Sequence, residues 1–334
     1  MASRPPPRLF CLGLGYCARH LAPRLEAHGF TIAGTSRDPA ALRASLDAAG
    51  IGRDWQLFPF SEQTTTAELE AALAGTTHLL HSIMPDGATE PDTAAPDAVD
   101  PVLRHHAGTI EALLQGELRW IGYLSTTGVY GDHDGAWVDE DSPRRPSKAR
   151  THRRVVAEDQ WLARGAQVFR LAGIYGPGRS ALERAEAGAP RIVAPGKIFN
   201  RIHVDDIAAI LEAAILEHAR PDPDRHAAAA EFEIERERGQ AFNVADNHPA
   251  SSDEVLAHAA ALLGLPPPPA VPLETAEMSP TARSFWQDNV RIDARRVLER
   301  FRVHLRHPDY RAGLRACLDA RSRESKDNSP EDNS

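Results

Sequence analysis

The chain has little cysteine, little lysine and no long apolar run. Its three cysteines, Cys11, Cys17 and Cys317, are odd in number and lack the spacing of a metal or redox motif. Free thiols in a reducing cytoplasm are therefore expected, and no metal site is read from the sequence. No stretch reaches the roughly 18 apolar residues that a membrane span needs. The start, Met-Ala-Ser-Arg-Pro-Pro-Pro, has no apolar signal core, so a chain without membrane attachment is expected. Lys148, Lys197 and Lys326 are the only lysines among 38 basic residues, and arginine carries nearly all the positive charge. At a net charge of -9, with basic residues scattered among acids, the chain lacks the stripe that nucleic-acid backbones require.

What is present is an alternation of short apolar runs and helical stretches. A length of 334 residues suits one doubly wound α/β domain with a smaller lobe. Leu9 to Leu12 is an apolar strand followed by Gly13-x-Gly15-x-x-Ala18 and a helix. Glycines at this place let the backbone N–H groups of Tyr16, Cys17 and Ala18 meet a pyrophosphate at the helix N-terminus, while Ala18 allows close packing on the strand. The second strand, Phe30 to Gly34, runs into Thr35-Ser36-Arg37. No acid stands where a ribose 2′-OH is bound. Ser36 and Arg37 instead suit a 2′-phosphate, with Thr35 offering another hydroxyl, so NADP is expected in preference to NAD. Asp38, before Pro39, is expected to cap the next helix.

Thr77 to Ile83 reads as a fourth strand in which His81 is a packed residue. Pro85 to Pro101 reads as a loop over the site. The chemistry is expected at the next strand, Trp120 to Leu124, which delivers Ser125, Thr126 and Thr127 to the carboxyl end of the sheet, where open α/β sheets bind ligands. Gly128 and Gly131 turn the chain outward, and Thr151 to Glu158 returns as a helix beside that strand end.

These residues resemble the extended short-chain dehydrogenases/reductases, the NAD-dependent epimerase/dehydratase family. There a catalytic Ser or Thr is followed by Val-Tyr-Gly, then by a helix with Tyr and, four positions on, Lys. Val129-Tyr130-Gly131 matches, Thr126 falls on the Ser/Thr position and Glu158 on a trailing acid. Counting back from Glu158 puts Arg150 at the Tyr position and Arg154 at the Lys position, and no tyrosine of the chain has Lys four residues later. Guanidinium stays protonated and cannot do the acid/base work of that Tyr. In lacking the pair the chain is similar to the YeeZ-like branch of this superfamily. Tyr175-Gly176-Pro177-Gly178 and Arg201-Ile202-His203-Val204-Asp205-Asp206 continue the resemblance. In the latter, Asp205 and Asp206 read as structural helix caps.

The expected organisation is a Rossmann domain over residues 8–175, joined again by 199–217 and 240–246. Residues 176–198 and 247–321 form the substrate lobe, 219–239 a polar excursion and 322–334 a disordered tail. The catalytic candidates are Thr126, Ser125 and Tyr130, with Tyr175 and His152 as further substitutes for the missing acid/base group. Arg150, Arg154 and Arg179 are candidate contacts for an anionic small-molecule substrate, with Arg184 and Arg191 behind them. Two functions stay open: an NAD(P)-dependent oxidoreductase or epimerase with relocated acid/base chemistry, or a dinucleotide-binding module without turnover.

Overall fold

Short apolar runs closed by turn residues, and helices begun by side chains that accept free backbone N–H groups, set the order of elements. The computed structural model describes residues 5–86, 99–219 and 239–327. Along the chain these form β1 (Arg8–Leu12), α1 (Tyr16–Glu26), β2 (Thr31–Ser36), α2 (Pro39–Ala48), β3 (Gln56–Pro59), α3 (Thr66–Leu73), β4 (His78–His81), α4 (Pro101–Leu114) and β5 (Trp120–Thr126). Then follow β6 (Trp137–Val138), α5 (Ala149–Ala163), β7 (Gln167–Leu171), β8 (Gly173–Tyr175), α6 (Ala181–Glu186), β9 (Arg191–Val193), β10 (Arg201–His203) and α7 (Val204–Ala219). The chain ends with β11 (Ala241–Val244), α8 (Ser252–Leu262), β12 (Ala270–Pro272), α9 (Pro280–Ser284), β13 (Arg291–Ile292), α10 (Arg295–Phe301) and α11 (Tyr310–Asp327).

Seven strands make one parallel sheet in the order β3-β2-β1-β4-β5-β7-β11. Successive side chains of a strand point to opposite faces, and here both faces are covered. Leu9 and Cys11 of β1 enter one apolar layer with Phe169 and Ile207, whereas Phe10 and Leu12 enter the other with Tyr123 and Trp161. That double burial is why the strands read as uninterrupted apolar runs. The strand order reverses between β1 and β4, which opens a crevice at their carboxyl ends. A third apolar cluster, including Tyr175, Leu256, Tyr310 and Leu314, builds the lobe.

Capping follows the sequence closely in several places. Asp38 accepts from Ala41 N at 2.9 Å with Pro39 in the first turn, and Ser251 accepts from Glu254 N at 3.3 Å to start α8. Asp205 and Asp206 differ from expectation. Since α7 begins at Val204, both acids stand inside its first turn, and Asp206 accepts from the backbone N–H groups of Arg306 and His307 instead of capping its own helix. The end of the chain also differs, because α11 continues through Ser322 to Asp327, into the stretch expected to be too polar to pack. The excursion at 220–238, most of the loop after Pro85 and the final residues from 328 lie outside the described residues. The three cysteines are free and buried. Among the described residues no helix is long and apolar enough to cross a membrane.

Gly131 fixes the exit of the chain from the end of β5. Its φ of 68° and ψ of -144° belong to a region that side chains avoid, and an added Cβ would lie 1.8 Å from the Arg145 carbonyl oxygen. Gly131→Ala is expected to lose more than about 2 kcal/mol of stability from strain and displacement together. A urea midpoint equal to that of the unsubstituted chain would contradict this geometry.

Candidate functional site

At the crevice the turn after β1 is held from below. Gly13 N donates to Thr35 Oγ1 at 2.9 Å, Leu14 N to Thr35 O at 2.8 Å, and Ser82 Oγ to Gly13 O at 2.7 Å. Gly13 has φ 88°, and a Cβ there would meet Ser82 Oγ at 2.8 Å. Above Gly15, by contrast, a Cβ would meet nothing within 4 Å. No side chain caps α1, so the N–H groups of Tyr16, Cys17 and Ala18 have no intrahelical partner and form the positive end of the helix dipole. This is a fitting place for a pyrophosphate. The three residues offer backbone to it. The side chains of Cys17 and Ala18 are buried, and Tyr16 Oη donates to Pro177 O at 2.9 Å with the Arg179 guanidinium 5.6 Å from its ring.

The end of β2 divides the expected 2′-phosphate contacts. Thr35 is 1% exposed and its hydroxyl is taken by Gly13 N, so Thr35 cannot reach a ligand, contrary to expectation. Ser36 is half-buried and its Oγ donates to Asp38 O at 3.1 Å. Arg37 is exposed and makes no side-chain hydrogen bond among the described residues. Asp38 is committed to its cap, which leaves Arg37 as the charged group at this edge.

At the end of β5 the hydroxyls have separate fates. Ser125 is buried and donates to Glu158 Oε2 at 2.7 Å. Glu158, fully buried, also accepts from Arg170 Nη2 at 2.5 Å, Arg170 Nε at 3.0 Å and Arg144 Nη1 at 3.1 Å. Tyr130 is drawn into the same network. Its hydroxyl donates to Asn243 Oδ1 at 2.8 Å and accepts from Arg170 Nη1 at 2.7 Å, and burial pushes its pKa up to about 12. With no exposed surface it is a core residue, which corrects its place among the catalytic candidates. Thr126 remains half-buried at the crevice. Its Oγ1 accepts from Gly128 N at 3.2 Å, and its O–H has no acceptor among the described residues.

The arginines of α5 part company as well. Arg154 turns toward the sheet and donates through Nη1 to Tyr123 Oη at 2.8 Å and Leu124 O at 3.2 Å, so it is a packing anchor and not the expected anion contact. Arg150 lies over the ring of Phe285 at 4.3 Å. His152 is on the exposed face of the helix, and Tyr175 is buried with its hydroxyl donating to Asp309 O at 3.3 Å. Neither presents a proton-transfer group to the strand end. Beneath lies a pair that the sequence reading passed over. His81 Nε2 and Asp100 Oδ2 are 2.8 Å apart with neither exposed, and Trp161 Nε1 donates to the same oxygen at 3.0 Å. Only the proline and aspartate at the start of α4 hinted at it, because the partners come from separate elements.

The lobe contains a pocket of about 720 Å³. Arg179, Arg184 and Arg201 line it together with Tyr175, Phe285 and Trp286, and among the described residues no carboxylate does. Arg201 donates to the carbonyls of Phe199 and Ala250, whereas Arg179 and Arg184 are exposed and make no side-chain hydrogen bond among the described residues. Arg191 is spent on Pro268 O at 2.9 Å and does not line the pocket. Phe285 joins the pocket to Arg150, and Arg179 joins it to Tyr16 at the start of α1. The turn after β1 and the pocket are thus neighbours.

Asp246, just after β11, is 4% exposed; its Oδ1 accepts from His248 N at 3.0 Å and its Oδ2 has no hydrogen-bond partner among the described residues. Burial pushes its pKa up to about 7 against the pull of that bond and of Arg201. The folded state then holds a proton that the unfolded chain, with a value of about 3.9, has released. Stability from this group is complete below about pH 4 and is lost as pH rises through about 7. Melting temperatures of Asp246→Asn should accordingly fall less between about pH 5 and pH 8 than those of the unsubstituted chain. Parallel slopes would show that the carboxyl ionises freely.

No family model and no curated protein matches the sequence. Among solved structures, a conserved protein of unknown function from Silicibacter pomeroyi is 41% identical, with a TM-score of 0.76 over 94% of this chain and 99% of that one. The dTDP-glucose 4,6-dehydratase of Bacillus anthracis, solved with NAD, is 14% identical, with a TM-score of 0.68 over 96% and 98% of the two chains. The enzyme WbmG of Bordetella bronchiseptica, solved with NAD and UDP, is 18% identical, with a TM-score of 0.68 over 95% of each.

Proposed function

For a chain that belongs to one family with the conserved Silicibacter pomeroyi protein and carries the fold of the NAD-dependent epimerases and dehydratases, we propose an oxidoreductase-type function on a small organic anion, with NADP(H) as cofactor. The observation that carries this reading is the lobe pocket, lined among the described residues by three arginines and no carboxylate, beside the uncapped start of α1. Arginine forks match carboxylate and phosphate groups, and the aromatic walls suit a ring. The NAD and UDP of the Bordetella neighbour support a nicotinamide dinucleotide and an anionic ligand on this fold, while the preference for NADP(H) rests on Arg37.

When bound, the nicotinamide supplies hydride exchange. The chain's own part is to bind and orient. The first-turn N–H groups of α1 hold the pyrophosphate and Arg37, with Ser36, meets a 2′-phosphate. Arg179 and Arg184 hold the anionic end of the substrate, and the Thr126 hydroxyl donates to the substrate oxygen nearest the nicotinamide. A second reading, a dinucleotide-responsive binding module without turnover, is favoured by the way Ser125, Tyr130 and Arg154 are spent on structural bonds.

Cofactor preference follows from Arg37. One charge-assisted contact is worth about 1.5–3 kcal/mol, or roughly 10- to 150-fold in affinity. NADPH should therefore bind the unsubstituted chain more tightly than NADH by about that factor, and Arg37→Ala should abolish the difference. Equal affinity for the two cofactors in the unsubstituted chain sinks the NADP(H) reading. The pocket is tested separately with UDP and a panel of organic anions. Arg184→Ala should weaken the anion that binds by more than roughly 10-fold while leaving NADPH affinity alone. Ligand-dependent loss of NADPH absorbance supports turnover, and binding without it supports the module.

A further inference from the structure

Elements far apart in sequence bring imidazole, carboxylate and thiol groups together below the lobe. His203 ends β10, Asp205 stands in the first turn of α7 and His307 precedes α11. His203 Nδ1 and His307 Nε2 each lie 3.7 Å from the same oxygen, Asp205 Oδ2, and the two ring centroids are 4.0 Å apart. One ligand atom from each of the three residues lies within 4.8 Å of the other two.

At 3.7 Å these groups are too far apart to hydrogen-bond, yet too close to be indifferent. His307 is 5% exposed and its Nε2 has no hydrogen-bond partner among the described residues. A buried ring nitrogen left in this state is costly, and here it faces a carboxylate oxygen with a second imidazole beside it. Around a tetrahedral ion with bonds of about 2.0–2.1 Å, ligand atoms stand roughly 3.3–3.5 Å apart, so each imidazole is within a few tenths of an ångström of that spacing from the carboxylate oxygen. Ligating histidines ordinarily have a second partner on the other nitrogen. His203 Nε2 lies 3.6 Å from Cys317 Sγ, and His20 Nδ1 lies 3.4 Å from Asp205 Oδ1, the oxygen facing away from the cluster. The long contact of Asp205 N with His203 Nδ1, at 3.2 Å, is the bond an ion would displace.

We propose that His203, Asp205 and His307 form a binding site for a divalent transition-metal ion of the zinc type, supported by His20 and Cys317. Two imidazoles and one carboxylate suit zinc, cobalt or iron(II), whereas calcium and magnesium favour all-oxygen sets. Asp205 and His20 are partly exposed, at 37% and 27% of their side chains, and provide the way in. The role is structural. Tyr175, whose ring edge packs on His203 at 5.2 Å, stands between the cluster and the pocket. The ion would tie β10 and α7 to the segment entering α11, which packs on the lobe helices α6 and α8. An ion that binds only the folded chain stabilises it by mass action.

The test uses the full chain without an affinity tag, stripped with EDTA. Zinc should bind at one ion per chain and raise the melting temperature, and cobalt(II) should give visible d–d absorption. His307→Gln and Asp205→Asn should each weaken zinc by more than roughly 10-fold, whereas His28→Gln, at an exposed histidine outside the cluster, should leave it unchanged. The proposal is overturned if zinc neither binds the unsubstituted chain nor raises its melting temperature, an outcome independent of whether any variant folds. It is equally overturned if folded His307→Gln binds zinc as tightly as the unsubstituted chain. Cofactor affinity plays no part in these measurements, so they stand whatever the outcome for NADPH.

Discussion

The carboxylate of Glu158, fully buried between α5 and the sheet, is the constraint around which the β5 end is arranged. A buried charge is tolerated only when paired and hydrogen-bonded, and removing a partner from such a group costs about 3–5 kcal/mol. Here Arg170 supplies the countercharge from β7, Arg144 adds a second contact from the loop, and Ser125 donates from β5. Arg170 then has a donor left over, which Tyr130 accepts and relays to Asn243 on β11. One acid thereby ties three neighbouring strands, one helix and one loop. The hydroxyls that a catalytic strand end would keep free are drawn into that network, and Thr126, one residue further along, is left at the crevice.

The turn after β1 was legible because its logic is local: Gly13, Gly15 and Ala18 act within six residues, and Asp38 caps a helix that begins beside it. The order of strands was legible for a related reason, since double burial in a parallel sheet imposes apolar runs that any window detects. Tyr130 and Arg154 were not. Their roles depend on Asn243, Arg170 and Tyr123, partners that spacing along the chain cannot bring together. The lobe pocket lay between these cases. Arg179 and Arg184 could be named in advance, but their difference from Arg191 depends on Pro268, a residue far along the chain.

Arg154 shows how one substitution of type can change what a helix face does. A lysine presents a compact charge on a flexible stem, which suits a position that must reach into a crevice. Arginine presents a planar fork, and here one nitrogen of the fork meets both Tyr123 Oη and Leu124 O while the guanidinium sits 5.6 Å from the Tyr123 ring. Both acceptors belong to β5, so the contact fastens the helix to the strand immediately before its hydroxyls. Burying guanidinium against neutral acceptors is costly, and the ring face and the two bonds offset part of that cost. The positive charge of Arg154 thus serves packing inside the Rossmann domain, while two exposed arginines, Arg179 and Arg184, line the pocket of the lobe. The place of the lobe pocket beside the turn after β1 therefore depends on the lobe holding its position against α1, a contact made by the Tyr16 hydroxyl on Pro177 and the Arg179 guanidinium near the Tyr16 ring.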